Sequence, residues 1–553
     1  MKTSPPMHSF LRRAELLLHP RKLIVQLGLY TSFLVFFLRH RFLRSSFTAD
    51  GQPVLFISLS NWVPRAILDG TLMRGLAAQG HRPILVTYRS ATWARRYAWV
   101  FGIRDTVFFD DLILTEATTG DERLVDSLLA SHRSFSSLLT LTVDGVPTGR
   151  HILSTLVNRL KCGDVDLDDP VTFRMLRDIL RSSILASRAS RVLFSRYPSP
   201  AAVLWMERGY SPYGEVFDEA LRLGLNCIQY FHGHRSDGLI MRRYRQHGEG
   251  NRHPFSLSLR SWEKVQADPW SVRAEEEFME RMRSSYRRGS WFNQKFTTVN
   301  SREKTSGEVR SQLGLDPAKK IAVIFSHVLW DGTFFYGNNL FRDYQDWLVE
   351  TVKVACKNPA VNWLIKLHPD YVWKVKQFGS VAGSREAVAL AADVGVLPAH
   401  ISIVPPDTDI STYSFFQCMD YCVTVRGTVG IEAPCFGVPV LTAGTGRYSG
   451  MGFTNDSQTR EEYLEKIRTI QTIPRLDSKV VTLARQHAQA LFERRLLPFK
   501  LCEIAPVDTS HRHVALFRVN KACDFEKDAD LGVFVDWVLR SHDDDYLAAP
   551  VVH

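Results

Sequence analysis

Two stretches of this sequence carry residue types suited to holding a phosphate: Lys366-Leu-His368-Pro369 and Arg426-Gly-Thr-Val-Gly-Ile-Glu432. In the first, the apolar run from Trp363 ends in a lysine, a histidine and a proline. Lys366 and His368 are two apart and share one face in extended backbone. At the C-terminal end of a buried strand they face the crevice where open α/β sheets bind ligands. There they can neutralise a departing phosphate. The competing reading is a capping His368 with an exposed Lys366, but a lysine buried in so apolar a strand is costly without an anion.

The second stretch lies within Tyr421 to Leu441, which reads as strand, tight loop, helix, glycine stop and strand. A loop running into a helix N-terminus offers backbone N–H groups and the positive end of the dipole to an anion. Arg426 adds a cation. Thr428 caps the helix or donates to a phosphate oxygen. Gly427 and Gly430 allow a ligand close to the backbone. Glu432 is spaced to accept from both hydroxyls of a ribose. A structural ion pair between Arg426 and Glu432, with glycines that only turn the chain, reads equally well.

A third stretch, Phe325-Ser-His-Val-Leu-Trp-Asp-Gly332, follows another apolar run. It offers Ser326 and His327 to phosphate and Asp331 to a sugar hydroxyl. Trp330, Phe334, Phe335 and Tyr336 form a stacking wall or a piece of core. Transfer to a hydroxyl also needs a carboxylate or imidazole within hydrogen-bond reach of it. The candidates are Glu207, Glu215 and His232, with His234 close by. Glu215 also reads as a helix N-terminal acid balancing the dipole. His232 and His234 have the spacing of a strand-borne metal pair but lack a third ligand. Asp164, Asp166, Asp168 and Asp169 read better as a helix start at Pro170 than as a cation site. No metal site is assigned.

These residues need elements to position them. Short apolar runs at 53–58, 84–88 and 107–109 alternate with a helix around 69–79, the rhythm of a doubly wound sheet. Further strand-like runs fall at 191–194, 201–206 and 226–230, after a mostly helical 120–190. A polar segment, 251–319, leads into a second alternation. Its strands are predicted at 321–325, 362–367, 401–404, 421–425 and 438–442, and its helices at 341–356, 412–419 and 429–436. A last helix is predicted at 525–539. The predicted division is a basic, apolar N-terminal helix (1–47), a Rossmann-like domain with helical insertions (48–305), a second Rossmann-like domain (306–505) and a helical tail packing back (506–553).

The chain has 553 residues, 69 basic and 58 acidic, for a net charge of +11. That balance favours anionic partners. The basic residues are too scattered for nucleic acid. Eight cysteines without a repeated pairing motif argue against a disulfide framework. Leu23 to Leu38 contains no charge, with Arg12, Arg13, Arg21 and Lys22 before it and Arg39, Arg41 and Arg44 after it. The run is short for a span and lacks a cleavage site, so a helix on a membrane surface is expected.

SPYGEVFDEALRLGLN, HVLWDGTFFYGNNLF, NWLIKLHP and VRGTVGIEAPCFGVPVLTAGTGRYSGMGFT together resemble bacterial surface and capsular polysaccharide biosynthesis glycosyltransferases. That group includes capsule Kdo transferases and relatives of His-Pro-motif sialyltransferases. The resemblance spans roughly 200–455. It implies a GT-B fold, a nucleotide-sugar donor, no essential metal or other cofactor, and work at the cytoplasmic face of the inner membrane. It places His368-Pro369 at the donor phosphate and Arg426 to Glu432 at phosphate and ribose. The sialyltransferase acidic pair followed by glycine is missing. The expected acceptor is a surface or capsular glycan or a lipid-linked glycan, with polysaccharide assembly proteins as possible partners. The rival functions are a nucleotide-sugar epimerase, a CDP-polyol phosphotransferase and a catalytically silent membrane-bound scaffold.

Overall fold

The computed structural model describes residues 20–44, 51–245, 252–287, 302–372, 374, 385–506, 513–519, 521, 525 and 527–550. Arg12 and Arg13, expected to flank the apolar helix, lie outside them, as do the side chains of Arg21 and Lys22.

Two sheets carry the architecture. The first contains β1 (Pro53–Ile57), β2 (Arg82–Thr87), β3 (Thr106–Phe108), β4 (Ala202–Trp205), β5 (Cys227–His232) and β6 (Gly238–Tyr244). The second contains β7 (Lys320–Phe325), β8 (Val361–Lys366), β9 (Ile401–Val404), β10 (Tyr421–Thr424), β11 (Val440–Thr442) and β12 (Asn455–Asp456). The second sheet runs β9-β8-β7-β10-β11-β12, parallel throughout. That is the strand order of a Rossmann fold. The first repeats it as β3-β2-β1-β4-β5, then adds β6 and β13 (Leu496–Pro498) antiparallel. Two such sheets in one chain make the GT-B architecture. Most strands are continuous apolar runs buried on both faces, as covered parallel sheets require.

The helices used below are α1 (Pro20–His40), α2 (Val63–Ala78), α3 (Thr92–Val100), α4 (Thr148–Leu160), α5 (Pro170–Arg196), α6 (Tyr213–Arg222), α7 (Val272–Arg287), α8 (Tyr344–Ala355), α9 (Arg385–Asp393), α10 (Val429–Glu432) and α11 (Ala529–Leu539). Asp169 caps α5 by accepting from Thr172 N at 2.8 Å, so the acidic cluster opens a helix. The strand expected at 191–194 is instead the end of α5, where Ala186, Ala189, Ser190 and Leu193 are buried at helical spacing. The end of the polar segment that leads into the second domain contains the capped helix Ser306–Gln312. The expected helix 429–436 is a single α turn followed by a 3₁₀ turn, Ala433–Phe436.

The chain returns to the first sheet earlier than the predicted boundary at 505. β13 pairs with β6, the hairpin of β14 (Cys502–Pro506) and β15 (His513–Phe517) follows, and α11 packs on α2. A buried ion cluster fastens this return. Arg495 and Asp545 are both fully buried, 3.0 Å apart, and Asp545 also accepts from Ser258 N at 2.7 Å. Arg242 stands 3.8 Å away. Removing the carboxylate leaves two buried guanidiniums uncompensated. Asp545→Ala should therefore cost about 3–5 kcal/mol of stability in urea unfolding.

Candidate functional site

The strand ends of the second sheet bring β7, β8 and β10 together. His327, just beyond β7, reaches the loop after β10. Its Nε2 lies 3.2 Å from Val425 N and 3.4 Å from Arg426 N, and 3.2 Å from the Thr424 hydroxyl. An Nε2 facing these donors acts as an acceptor, so the ring is neutral. Burial first, and then the charges of His368, Arg426 and Arg447, hold its pKa well below the usual histidine range. The ring stacks on Tyr344 at 4.5 Å. Thr424 Oγ1 accepts from Gly427 N at 3.2 Å and closes the turn.

Arg426 is only 4% exposed. One terminal nitrogen donates to Asn338 O at 3.3 Å and to the Asn339 side chain. Its Nε and Nη1 are buried without a partner among the described residues. Arg447, on the loop after β11, has a buried Nε in the same condition, and its guanidinium lies 5.4 Å from the Phe255 ring. Burial lowers the Arg447 pKa to about 10. Beside them His253 accepts from Phe255 N at 3.0 Å, its ring 4.6 Å from that of Tyr336. Burial and then Arg447, Arg426, Arg208 and Arg242 push its pKa far down. Buried donors normally find acceptors, so a cluster of cations with open valences has the chemistry to receive an anion.

The first domain supplies the facing wall. Glu207 follows β4 and accepts from Arg208 N at 2.8 Å. Its pKa is raised to about 7, by burial first and then by Asp331, against the pull of Arg65 and Arg208. Arg208 donates to Gln229 at 3.0 Å and to Arg252 O at 2.7 Å. Tyr210 crosses to the second domain: its hydroxyl donates to Asp331 Oδ1 at 2.9 Å and accepts from Gly332 N at 3.1 Å. His151 on α4 steadies that loop, 3.1 Å from Gly209 O and 2.7 Å from Asp218.

His327, His368, Arg426, Gly427 and Thr428 thus sit at neighbouring strand ends, with Glu207 and Asp331 on the cleft side. His368, next to the half-buried Pro369, accepts from Asp370 N at 3.2 Å and shapes the turn.

Several expectations need correcting. Lys366 does not share a phosphate face with His368: its ammonium donates to Leu367 O at 3.0 Å and has Asp407 as its acidic neighbour, with a pKa lowered by burial to about 8. Ser326 donates to Glu386 on α9 at 3.0 Å and is 5% exposed, so it is committed to packing. Asp331 bridges the domains: its Oδ1 accepts from Tyr210 at 2.9 Å and its Oδ2 lies 3.5 Å from the Lys374 ammonium. Glu215 has no exposed surface and takes the Ser183 hydroxyl on α5, which removes it from an acceptor's reach. His232 sits against Trp62 and His513, neutral, its pKa lowered to about 4 by burial and then by His513. Glu432 is 2% exposed and lies beside Tyr286 of α7, so it presents no surface to a ribose. Thr428 makes no capping bond, and a one-turn α10 carries little dipole. Positive charge here comes from side chains.

Arg447, His253, Arg208 and Tyr210 went unnoticed in the sequence. Arg447 had a usable signal, because Gly444-Thr-Gly-Arg447 follows strand β11 much as Arg426-Gly-Thr follows β10. His253 had none, since it lies in the polar stretch 251–319, which shows no clear strand.

Gly430 also acts differently from the expectation. A Cβ there would collide with the Tyr448 phenol, whose hydroxyl donates to Gly427 O at 3.0 Å. Gly430→Ala should lower stability by about 1–3 kcal/mol through overpacking. Tyr448→Phe should cost about 1 kcal/mol, the worth of one hydrogen bond. Urea titration of both variants checks this.

Comparison with known proteins bears on this pocket. No curated protein matches the chain. Among solved structures it is similar to KpsC of Thermosulfurimonas dismutans, a beta Kdo 2,4 transferase, at 14% identity over 57% of this chain and 85% of that one, with a TM-score of 0.35. It is also similar to UDP-GlcNAc 2-epimerase from Neisseria meningitidis, at 10% identity over 78% and 94%, with a TM-score of 0.26. Residues 314–481 match the family model described as capsule polysaccharide biosynthesis protein. The matched segment carries β7 to β12 together with His327, Arg426 and Arg447.

Proposed function

We propose that the chain is a glycosyltransferase moving a sugar from a nucleotide sugar to a hydroxyl of a surface or capsular glycan or a lipid-linked acceptor. One observation carries this reading: within the segment that matches the capsule family model, Arg426 Nε and Nη1 and Arg447 Nε are buried without a partner among the described residues, and the adjoining wall holds a carboxylate, Glu207, with its pKa raised to about 7. A donor phosphate satisfies the first set. A general base answers to the second.

In this reading the donor phosphate lies against Arg426 Nε and Nη1 and Arg447 Nε. The acceptor hydroxyl lies against Glu207. As its oxygen bonds to the anomeric carbon, Glu207 takes its proton. The bond from that carbon to the phosphate oxygen breaks, and the electron pair leaves with the nucleotide. The charge appears where the guanidiniums already stand, so no reorganisation is needed. Neutral His327 orders the loop that aims Arg426. Because side chains supply the positive charge, transfer is expected to persist in EDTA. The work is assigned to the cytoplasmic face of a membrane; the exposed apolar surface of α1 supports the membrane part of that reading.

Glu207→Gln should lower kcat by about 10²–10⁴-fold while nucleotide affinity holds. The base acts deprotonated, so wild-type kcat should rise with pH through about 7, and the variant should lose that limb. Arg426→Ala should lower kcat by about 10²–10³-fold and weaken nucleotide binding. The assay is transfer from a panel of CMP-, UDP-, GDP- and dTDP-sugars. A panel that yields no transfer, or a Glu207→Gln enzyme with unchanged kcat, defeats the proposal.

A further inference from the structure

We infer that α1 lies in the plane of an anionic lipid surface and does not cross it. The inference deepens the membrane reading above and rests on it. α1 is 21 residues long and apolar enough, by length and composition, to span a bilayer. Its surroundings decide otherwise. One side is docked on α3: Tyr30 meets Trp93 at 5.1 Å, Phe33 meets Tyr97 at 5.3 Å and Phe36 meets Tyr97 at 5.1 Å. Among the described residues the other side is uncovered and apolar. Ile24, Val25, Leu27, Leu34, Val35 and Leu38 are each more than half exposed, from 53% at Leu34 to 68% at Ile24.

The position of the cations excludes a span. Arg96 lies 4.7 Å from the Tyr30 ring centroid and donates to its hydroxyl at 3.2 Å. Tyr30 is the middle residue of α1. A crossing helix would therefore carry the Arg96 guanidinium, and α3 with it, to the centre of the hydrocarbon, where charge is costly. With the helix flat, the same cations stand at headgroup level. Phe33, Thr92, Arg95, Arg96 and Trp99 line one open hollow beside the helix, an apolar floor with two guanidiniums at its rim. Arg44 packs on Trp99 at 3.9 Å. Segments 20–44 and 92–104 together hold eight lysines and arginines and no Asp or Glu. An apolar strip bordered by positive charge fits lipid with anionic headgroups.

Flotation of the full chain with phosphatidylcholine vesicles, with and without phosphatidylglycerol, tests the surface. Binding is expected with phosphatidylglycerol and should weaken about tenfold or more in R41E/R104E. Leu34→Asp with Leu38→Asp should abolish it while transfer to a soluble acceptor is retained. A fluorophore on cysteines introduced singly at Ile24, Thr31 and Leu38, one face of α1, then reports depth through quenchers placed at different levels of the lipid. In-plane seating predicts one shallow depth for all three. A deep Thr31 between shallow ends overturns the in-plane geometry and leaves the membrane reading standing. Absence of flotation, or a dimer in sedimentation that Leu34→Asp breaks, overturns both. Neither result touches the transfer activity, which the soluble acceptor measures separately.

Discussion

Arg426 is buried with two guanidinium nitrogens left open among the described residues, and the second domain is organised around that cost. A guanidinium cannot shed its charge, so a buried one must find acceptors or hold a place for them. Asn338 and Asn339 satisfy one terminal nitrogen. Thr424, Gly427 and neutral His327 fix the loop that carries it. Gly430 is kept small so that Tyr448 can reach Gly427 from below. Each of these residues supports the position of a cation whose remaining valences point to a ligand.

The first domain answers that charge indirectly. Its strand ends bring Glu207 near Asp331, whose negative charge adds to burial in raising the Glu207 pKa. The same Asp331 accepts from Tyr210, so a single carboxylate both ties the domains and tunes the candidate base. His151 and Asp218 brace the loop behind Tyr210. Cleft geometry and base strength are therefore coupled: loosening the Tyr210 contact shifts both.

The fold was largely legible because buried parallel strands are continuous apolar runs and helices alternate with them. Runs such as Ile321 to Phe325 and Asn362 to Leu367 have few other readings. The exceptions have physical causes. Arg191 to Phe194 has a strand-like composition, yet it continues a helix whose burial repeats at helical spacing. β13 is too short to announce itself, and only its pairing with β6 shows that the chain has returned. At the site, the strand-end loops that carry His327 and Arg426 meet. Side-chain direction was not legible. Lys366, Ser326, Glu215 and Glu432 all stand at plausible sequence positions, and each turns to a local partner or into the interior that no spacing rule reveals. Arg447 and His253 join the pocket from distant segments, brought there by tertiary packing alone.

The central claim is that the open valences of Arg426 and Arg447 are those of a donor phosphate site. The most direct test is a crystal structure of the full chain soaked with a nucleotide that shifts its melting temperature. The account predicts a phosphate group within hydrogen-bond distance of Arg426 Nε or Nη1 and of Arg447 Nε, with its nucleoside extending along the strand ends of the second sheet. A nucleotide phosphate bound elsewhere, with both guanidiniums still unpaired, would contradict it.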